Sequence, residues 1–378
     1  MPQPVLGILT LYLNEAKQLE EKSVYRRMIT QGKRIGLDVF VFTPMDVHGS
    51  KELIHALVFN PETGKWSRKW RHFPHMIYDR CRIQRSARFQ QLLRFRSRYN
   101  HMTFLNRPLR NKWTIHQTFS QKSRFRQHMP ETLLYQSSAD LQRMLKHGSV
   151  IYIKPANGTG GRGILRIERL KNPSGMFDIQ GRRQDRRIIP PRKVSHARLT
   201  SIVRQWCIGG RFLVQQGIPL RLPGGRFHDY RMLVQKNGQG SWEMTGMAGR
   251  IGAAHSVTSN LHGGGHAVRA ETLLQEWLGS DEKAGKAMKA SEKLGLEAAA
   301  FLENRFGALC ELALDLAIDR EGRIYVLEVN PKPAREVFAR SGDSETYRKA
   351  LLRPLEYALW VYKNKGVAST PASLKTEE

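Results

Sequence analysis

Two segments carry residue types whose spacing can do chemistry. The first is Val150-Ile-Tyr-Ile-Lys154-Pro-Ala-Asn157-Gly158-Thr159-Gly160-Gly161-Arg162-Gly163. The apolar run ending at Lys154 reads as a strand, and the glycines after it let backbone amides converge on one point, which is how a loop cradles phosphate oxygens. Lys154 adds a point charge for the same oxygens. Gly158, Gly160 and Gly163 also match the spacing of dinucleotide-binding loops, but such a loop must open a helix. Here Ile164–Leu170 is short and strand-like, so the segment reads as a strand–loop–strand flap. No Gly-Lys-Ser/Thr follows, which excludes a Walker A loop. The lysine precedes the glycines and neither HRD nor DFG occurs, which argues against a protein-kinase flap. A glycine-rich hairpin without a ligand is the alternative.

The second segment runs Ala313-Leu-Asp315-Leu-Ala-Ile-Asp319-Arg-Glu-Gly322-Arg-Ile-Tyr-Val-Leu-Glu328-Val-Asn330-Pro-Lys332-Pro333. Strand alternation puts Leu314, Leu316 and Ile318 on one face and Asp315 on the other, and Glu328 and Asn330 share a face of the returning strand. With Glu321-Gly322 as a two-residue turn, Asp315 stands opposite Glu328 with Asn330 diagonal to it. Three oxygen-bearing side chains then converge, as a hard cation such as Mg2+ needs. An exposed polar hairpin is the alternative, but it leaves unexplained why Glu328 interrupts the apolar run Ile324–Val329, where an unpaired carboxylate is costly.

These residues need a framework, and 378 residues suffice for two or three packed lobes. Cys81, Cys207 and Cys310 form neither a CxxC pair nor a zinc pattern, so the fold is expected without disulfides. No run reaches the roughly 18 apolar residues of a membrane span and no signal peptide is visible, which implies a cytoplasmic protein. The formal charge of +29, from 62 basic and 33 acidic residues, calls for polyanions nearby. The basic residues cluster at Arg80–Arg98, Lys122–Arg126 and Arg182–Lys193. They carry no nucleic-acid recognition motif, so a solvated basic surface or docking to an acidic polypeptide is the better reading than nucleic acid.

Along the chain, the runs Val5–Leu11, Leu37–Phe42, His75–Tyr78 and Met102–Leu105, with a helical stretch Asn14–Gly32, predict a small α/β lobe over 1–105. Asn60–Gly64 reads as a hairpin turn within it. A second lobe, 106–210, holds the flap and a charged, Pro-rich excursion at Lys171–Arg192 expected to be mobile. A third, 211–362, is strand-rich with one helix over Glu271–Glu303, and the tail 363–378 reads as disordered.

Five short segments in this order resemble the ATP-grasp superfamily, and over about residues 1–360 its YheC/YheD-like family of endospore coat-associated proteins. They are Tyr78-Asp79-Arg80, Asn106–Trp113, Lys154–Gly163, His228-Asp229-Tyr230-Arg231 and Glu328–Pro333. The resemblance implies an α/β chain: an ATP-grasp fold of two α+β lobes behind an N-terminal Rossmann-like lobe, with ATP between the two lobes. It implies Lys112 and Lys154 on the α- and β-phosphates, closed over by Gly158, Thr159, Gly160, Gly161 and Gly163. It makes Gln215, Gln216, Gly217 and Ile218 the hinge against the base, with Gln216 where many relatives carry an acid. Asp315, Glu328 and Asn330 would hold Mg2+, and Arg231, Arg250 and Asn260 would lie near the γ-phosphate. Asn330 is followed by Pro-Lys-Pro where relatives carry small polar residues. His255, His262 and His266 fit no compact metal motif and read as loop histidines. The implied activity is ligation of a carboxylate to an amine acceptor through an acylphosphate, with spore coat components as partners. A kinase, or a non-catalytic ATP-binding coat scaffold, are the alternatives on the same fold.

Overall fold

The computed structural model describes residues 3–81, 87–109, 111–158, 160–172 and 174–364, so Thr159 and the tail from 365 onward lie outside the described residues. Three sheets follow one another along the chain. The first is built from β1 (Val5–Leu9), β2 (Asp38–Phe42), β3 (Val47–His48), β4 (Leu53–Asn60), β5 (Lys65–His72), β6 (Met76–Asp79) and β7 (Thr103–Phe104). The strands β2, β1, β6 and β7 are parallel neighbours, and β4 and β5 form the expected hairpin. Asn60 Oδ1 accepts from the Glu62 amide at 2.9 Å, and Gly64 takes the left-handed conformation at φ 68°, which together close that turn. Helix α1 (Lys22–Arg34) starts later than the sequence implies; it buries Val24, Tyr25, Met28, Ile29 and Gly32 on one stripe. Helix α2 (Ala87–Arg98) covers the opposite face through Leu92 and Phe95.

The connector to the second sheet holds α3 (Lys112–Ser120), whose Asn111 cap accepts from the Thr114 amide at 3.0 Å, and α4 (Ser123–Arg126). The second sheet contains β8 (Thr132–Leu134), β9 (Val150–Pro155), β10 (Ile164–Arg169), β11 (Met176–Arg182), β12 (Ile188–Ser195) and β13 (Phe212–Gln216), in the order β12-β11-β10-β9-β13-β8. Helices α5 (Ser138–His147) and α6 (His196–Trp206) pack on it around a core of its own. Two expectations change here. The excursion after Lys171 is largely the ordered hairpin of β11 and β12, because Phe177, Ile179 and Val194 join this core. Strand β13 pairs with β9 and β8, so this sheet reaches Gln216.

The third sheet has β14 (His228–Lys236), β15 (Trp242–Ile251), β16 (His266–Arg269), β17 (Glu311–Ile318) and β18 (Ile324–Asn330) in the order β16-β15-β14-β17-β18. The expected single helix is two, α7 (Ala270–Leu278) and α8 (Asp281–Phe306). Gly279 ends the first in the left-handed conformation and Ser280 caps the second through the Lys283 amide, so the break is written in two residues. Helix α9 (Glu336–Arg340) and the long α10 (Ser344–Asn364) close the chain.

The first and third sheets share one core. Leu6, Ile8 and Tyr78 from the first, with Met28 of α1, pack with Leu233, Ala248, Phe338 and Leu355 from the third and its closing helices. Arg80, expected on a basic surface, is instead buried there between Glu21 and Glu311, and Arg96 pairs with the buried Asp79. A guanidinium can sit in such a place only because carboxylates and the Pro333 carbonyl satisfy its donors.

Candidate functional site

Strands β17 and β18 set the acidic residues in place by a route the sequence conceals. The connecting turn spans Asp319–Arg323, with Asp319 Oδ1 accepting from the amides of Glu321 (3.1 Å) and Arg323 (2.8 Å), and Gly322 at φ 82°. This turn pairs Ile318 with Ile324 and Leu316 with Val326, a register that would put Leu327 opposite Asp315. A β-bulge then inserts one residue, and Glu328 stands opposite Asp315, with Asn330 opposite Ala313.

Asp315 is buried and held by two arginines. Arg231, its partner on β14, donates from Nε at 2.8 Å and Nη2 at 2.9 Å, and Arg250 on β15 approaches at 3.1 Å. Burial alone would raise its pKa, but Arg231 and then Arg250 override it and hold the carboxyl well below the usual range. Burial likewise opposes the Arg250 charge, and Asp229 and Asp315 outweigh it, so its pKa is raised. Glu328 pairs with Lys112 Nζ at 3.0 Å.

Across the cleft, Lys154 at the end of β9 donates to Gln215 Oε1 at 2.7 Å and reaches the bulge carbonyl of Leu327 at 3.5 Å. Burial, then the neighbouring Lys112 charge, push its pKa down to about 8, with Glu328 and Asp315 pulling the other way. Gln215 Nε2 in turn donates to Thr132 Oγ1 at 2.9 Å. His116 of α3 lines the same cleft and is pushed down to about 4 by burial and by Lys154, so it is neutral near pH 7. Gln216 bonds the Glu131 backbone in both directions, Gly217 donates to the Val150 carbonyl, and Ile218 is buried beside Leu220 and Leu327.

The flap leaves β9 with Gly160, Gly161 and Gly163 all at positive φ. The left-handed φ at Gly161 and Gly163 favours glycine, and a Cβ there would also have to displace the side-chain end of Asn260 or Gln184 respectively. Gly158 lies in the same loop against Pro155. The structure thus gathers Lys112, Lys154, Gln215 and Glu328 around one cleft between the second and third sheets. Asp315, Arg231 and Arg250 adjoin it through the paired strands, and Asn260 meets the flap.

Sequence reasoning left Asp229, His116 and Thr132 unassigned. Asp229 had a signal, since alternation in His228-Asp229-Tyr230-Arg231 puts it on the face of Arg231. Among the described residues no group of three or more His, Cys, Asp or Glu is placed to hold a metal. The oxygen donors at hand are two carboxylates and one amide. Asn330 would have to serve through its Oδ1, because its buried Nδ2, which has no partner, is a donor and not a metal ligand. That donor set suits a hard divalent cation, and Lys112 would have to release Glu328 to admit one.

The family model described as YheC/D-like ATP-grasp matches residues 101–361. The chain is 24% identical over 371 residues to the endospore coat-associated protein YheC of Bacillus subtilis (strain 168), covering 95% of this chain and 99% of that one. It is 25% identical over 380 residues to the endospore coat-associated protein YheD of the same organism, covering 98% and 81%. The crystal structure of the D-cycloserine synthetase DcsG superposes with a TM-score of 0.55 at 12% identity, covering 95% of this chain and 99% of that one, which is a likeness of fold. No helix among the described residues is long and apolar enough to cross a membrane. The sheets, the flap and the length of the match lead to one conclusion: the chain belongs to the YheC/D-like ATP-grasp family.

Proposed function

We propose that the protein is an ATP-grasp ligase that activates a carboxylate with ATP and joins it to an amine acceptor, working on components of the spore coat. One observation carries this reading: Lys154 of the second sheet reaches across to the bulge of the third, beside the Lys112–Glu328 pair and the Asp315–Glu328 pairing. Cations and hard oxygen donors therefore face each other across a cleft that a glycine flap overhangs.

ATP is a substrate in this scheme, with its α- and β-phosphates on Lys112 and Lys154 and its base against Gln215, Gln216, Gly217 and Ile218. Asp315, Glu328 and Asn330 would hold Mg2+, which supplies charge neutralisation to the phosphates. Gly158, Thr159, Gly160, Gly161 and Gly163 would close the flap and exclude water. Arg231, Arg250 and Asn260 would lie near the γ-phosphate, with Arg231 and Arg250 also fixing the Asp315 carboxylate and Asn260 meeting the flap. The substrate carboxylate oxygen bonds to the γ-phosphorus as the bond to ADP breaks. The amine nitrogen then attacks the acyl carbon, and phosphate leaves.

Hydroxylamine trapping tests the scheme, because an acylphosphate yields a hydroxamate and a phosphoester does not. Enzyme, magnesium, ATP and a pool of carboxylates should give hydroxamate and ADP together. ADP with a stable phosphorylated product and no hydroxamate would replace the ligase by a kinase.

A further inference from the structure

Five arginines are buried among the described residues: Arg80, Arg166, Arg182, Arg250 and Arg335. Four have carboxylate partners, namely Glu21 and Glu311 for Arg80, Glu168 for Arg166, Asp229 and Asp315 for Arg250, and Glu311 for Arg335. Arg182, at the end of β11 and only 8% exposed, has none among the described residues. Its Nε donates to the Arg186 carbonyl at 3.1 Å, and its other end lies so close to Gly263 that a Cβ there would collide with it. The charges that bear on it are those of Arg186 and Arg162, both of its own sign, and after burial they lower its pKa. Arg162, in the flap, has a buried Nε with no partner. A guanidinium held largely, though not wholly, out of water beside two other cations and with no countercharge among the described residues favours an anion that arrives there.

The place is where the flap, which leaves β9 after Lys154, meets the Asn260 loop, and we take it as the mouth of the cleft. Gln184 of the β11–β12 turn touches the flap at Gly163, Asn260 touches it at Gly161, and Arg182 touches the Asn260 loop at Gly263. Beyond this mouth the turn carries exposed Arg183, Arg186 and Arg187, and β12 carries exposed Arg192, against the single acid Asp185. Successive residues of an extended strand advance about 3.3 Å, so these cations continue the positive charge well beyond one small ligand. Strand β12 is the edge of the sheet, but Pro190 and Pro191 leave it without amide donors there, so a partner would be held by charge rather than by strand addition.

We propose that Arg162 and Arg182 form an anion subsite at the cleft mouth, and that with the cations of the β11–β12 turn they receive an acidic peptide as the carboxylate substrate. The substrate role rests on the ligase reading above; the binding does not. The test uses a fluorescent ten-residue oligo-L-glutamate and the full chain. The wild type should bind it, more weakly as salt rises. Arg182→Gln and the exposed pair Arg183→Glu/Arg187→Glu should each weaken binding at least tenfold. Arg182→Lys should retain part of it, and thermal melting should show all variants folded. Affinity for ATP with magnesium should stay within twofold.

No binding by the wild type, or equal binding by the variants, overturns the proposal. Loss of ATP affinity as large as the loss of peptide affinity assigns Arg182 to the nucleotide and also overturns it. Displacement by single-stranded DNA of equal charge, as effective as by unlabelled peptide, overturns the choice of a peptide. If the peptide binds through these arginines but no hydroxamate forms with it, the ligase reading fails for this substrate and the binding subsite stands.

Discussion

Asp229 and Arg250 stand directly opposite one another on β14 and β15, joined by hydrogen bonds of 2.7 Å and 2.6 Å, and the same guanidinium reaches Asp315 at 3.1 Å. Arg250 is therefore the buried link between a carboxylate outside the donor set and one inside it. Arg250→Ala should lower stability by roughly 3 kcal/mol, because it leaves buried acid unpaired. Hydroxamate formation should fall with it. Denaturant melts of Arg250→Ala and Arg250→Met/Asp229→Leu check this: the double variant should recover stability without recovering activity.

Glu328→Gln removes one negative donor and no volume. It should shift nucleotide binding to much higher magnesium concentration, and Asp315→Asn should do the same with an added loss of stability, since Arg231 loses its carboxylate partner and Arg250 keeps only Asp229. Magnesium titrations of ADP formation read both effects. Unchanged curves for both variants would remove the hairpin from the metal site.

Lys154→Ala should weaken binding of ATP with magnesium at least tenfold, or about 1.4 kcal/mol, by calorimetry. The lysine also predicts proton linkage. With its pKa at about 8 rather than the ordinary 10.5, the folded ligand-free chain has lost a proton in that window that the unfolded chain retains. The fold therefore gains stability from this group as pH rises from about 8 to 10.5, and Lys154→Met should stabilise the ligand-free protein near pH 7. Above pH 8, ATP binding should take up a proton, visible as a dependence of the binding heat on the buffer.

Gly161→Ala tests the flap. The position is left-handed at φ 70° and has Asn260 Oδ1 where a Cβ would go, so the variant should lose activity while melting within a few degrees of the wild type. Asn260→Ala opens that space, and the double variant should bind ATP better than Gly161→Ala alone. Equal activity of Gly161→Ala and wild type would separate Asn260 from the flap.

The site residues legible in the sequence were those whose local pattern forces them into view. Glycines after a strand that ends in lysine, and a carboxylate interrupting an apolar strand, are such patterns. The pairing of Asp315 with Glu328 was legible too, but its cause was not: the turn alone gives the wrong register, and only the bulge at Leu327 restores it. A bulge is decided by packing on both faces of the sheet, here Val326 toward one core and Leu327 toward another. The break between α7 and α8 was written in Gly279-Ser280 but hidden by continuous helical periodicity on either side. The burial of Arg80 could not be read at all, because its partners Glu21 and Glu311 lie far away in sequence.

The core common to the first and third sheets decides where this chain can be cut. The family match starts at residue 101, just before β7, yet a fragment beginning there would bare Leu233, Ala248 and Leu355. It would also strand Glu311 and Arg335 without Arg80 and Tyr78, and release Lys332 from Asp79. Lys332 sits two residues beyond Asn330, so the loss would reach the donor set within one turn of chain. The first hundred residues are thus a structural wall of the family-matched region rather than an appendage, and expression of that region by itself should yield insoluble or molten material.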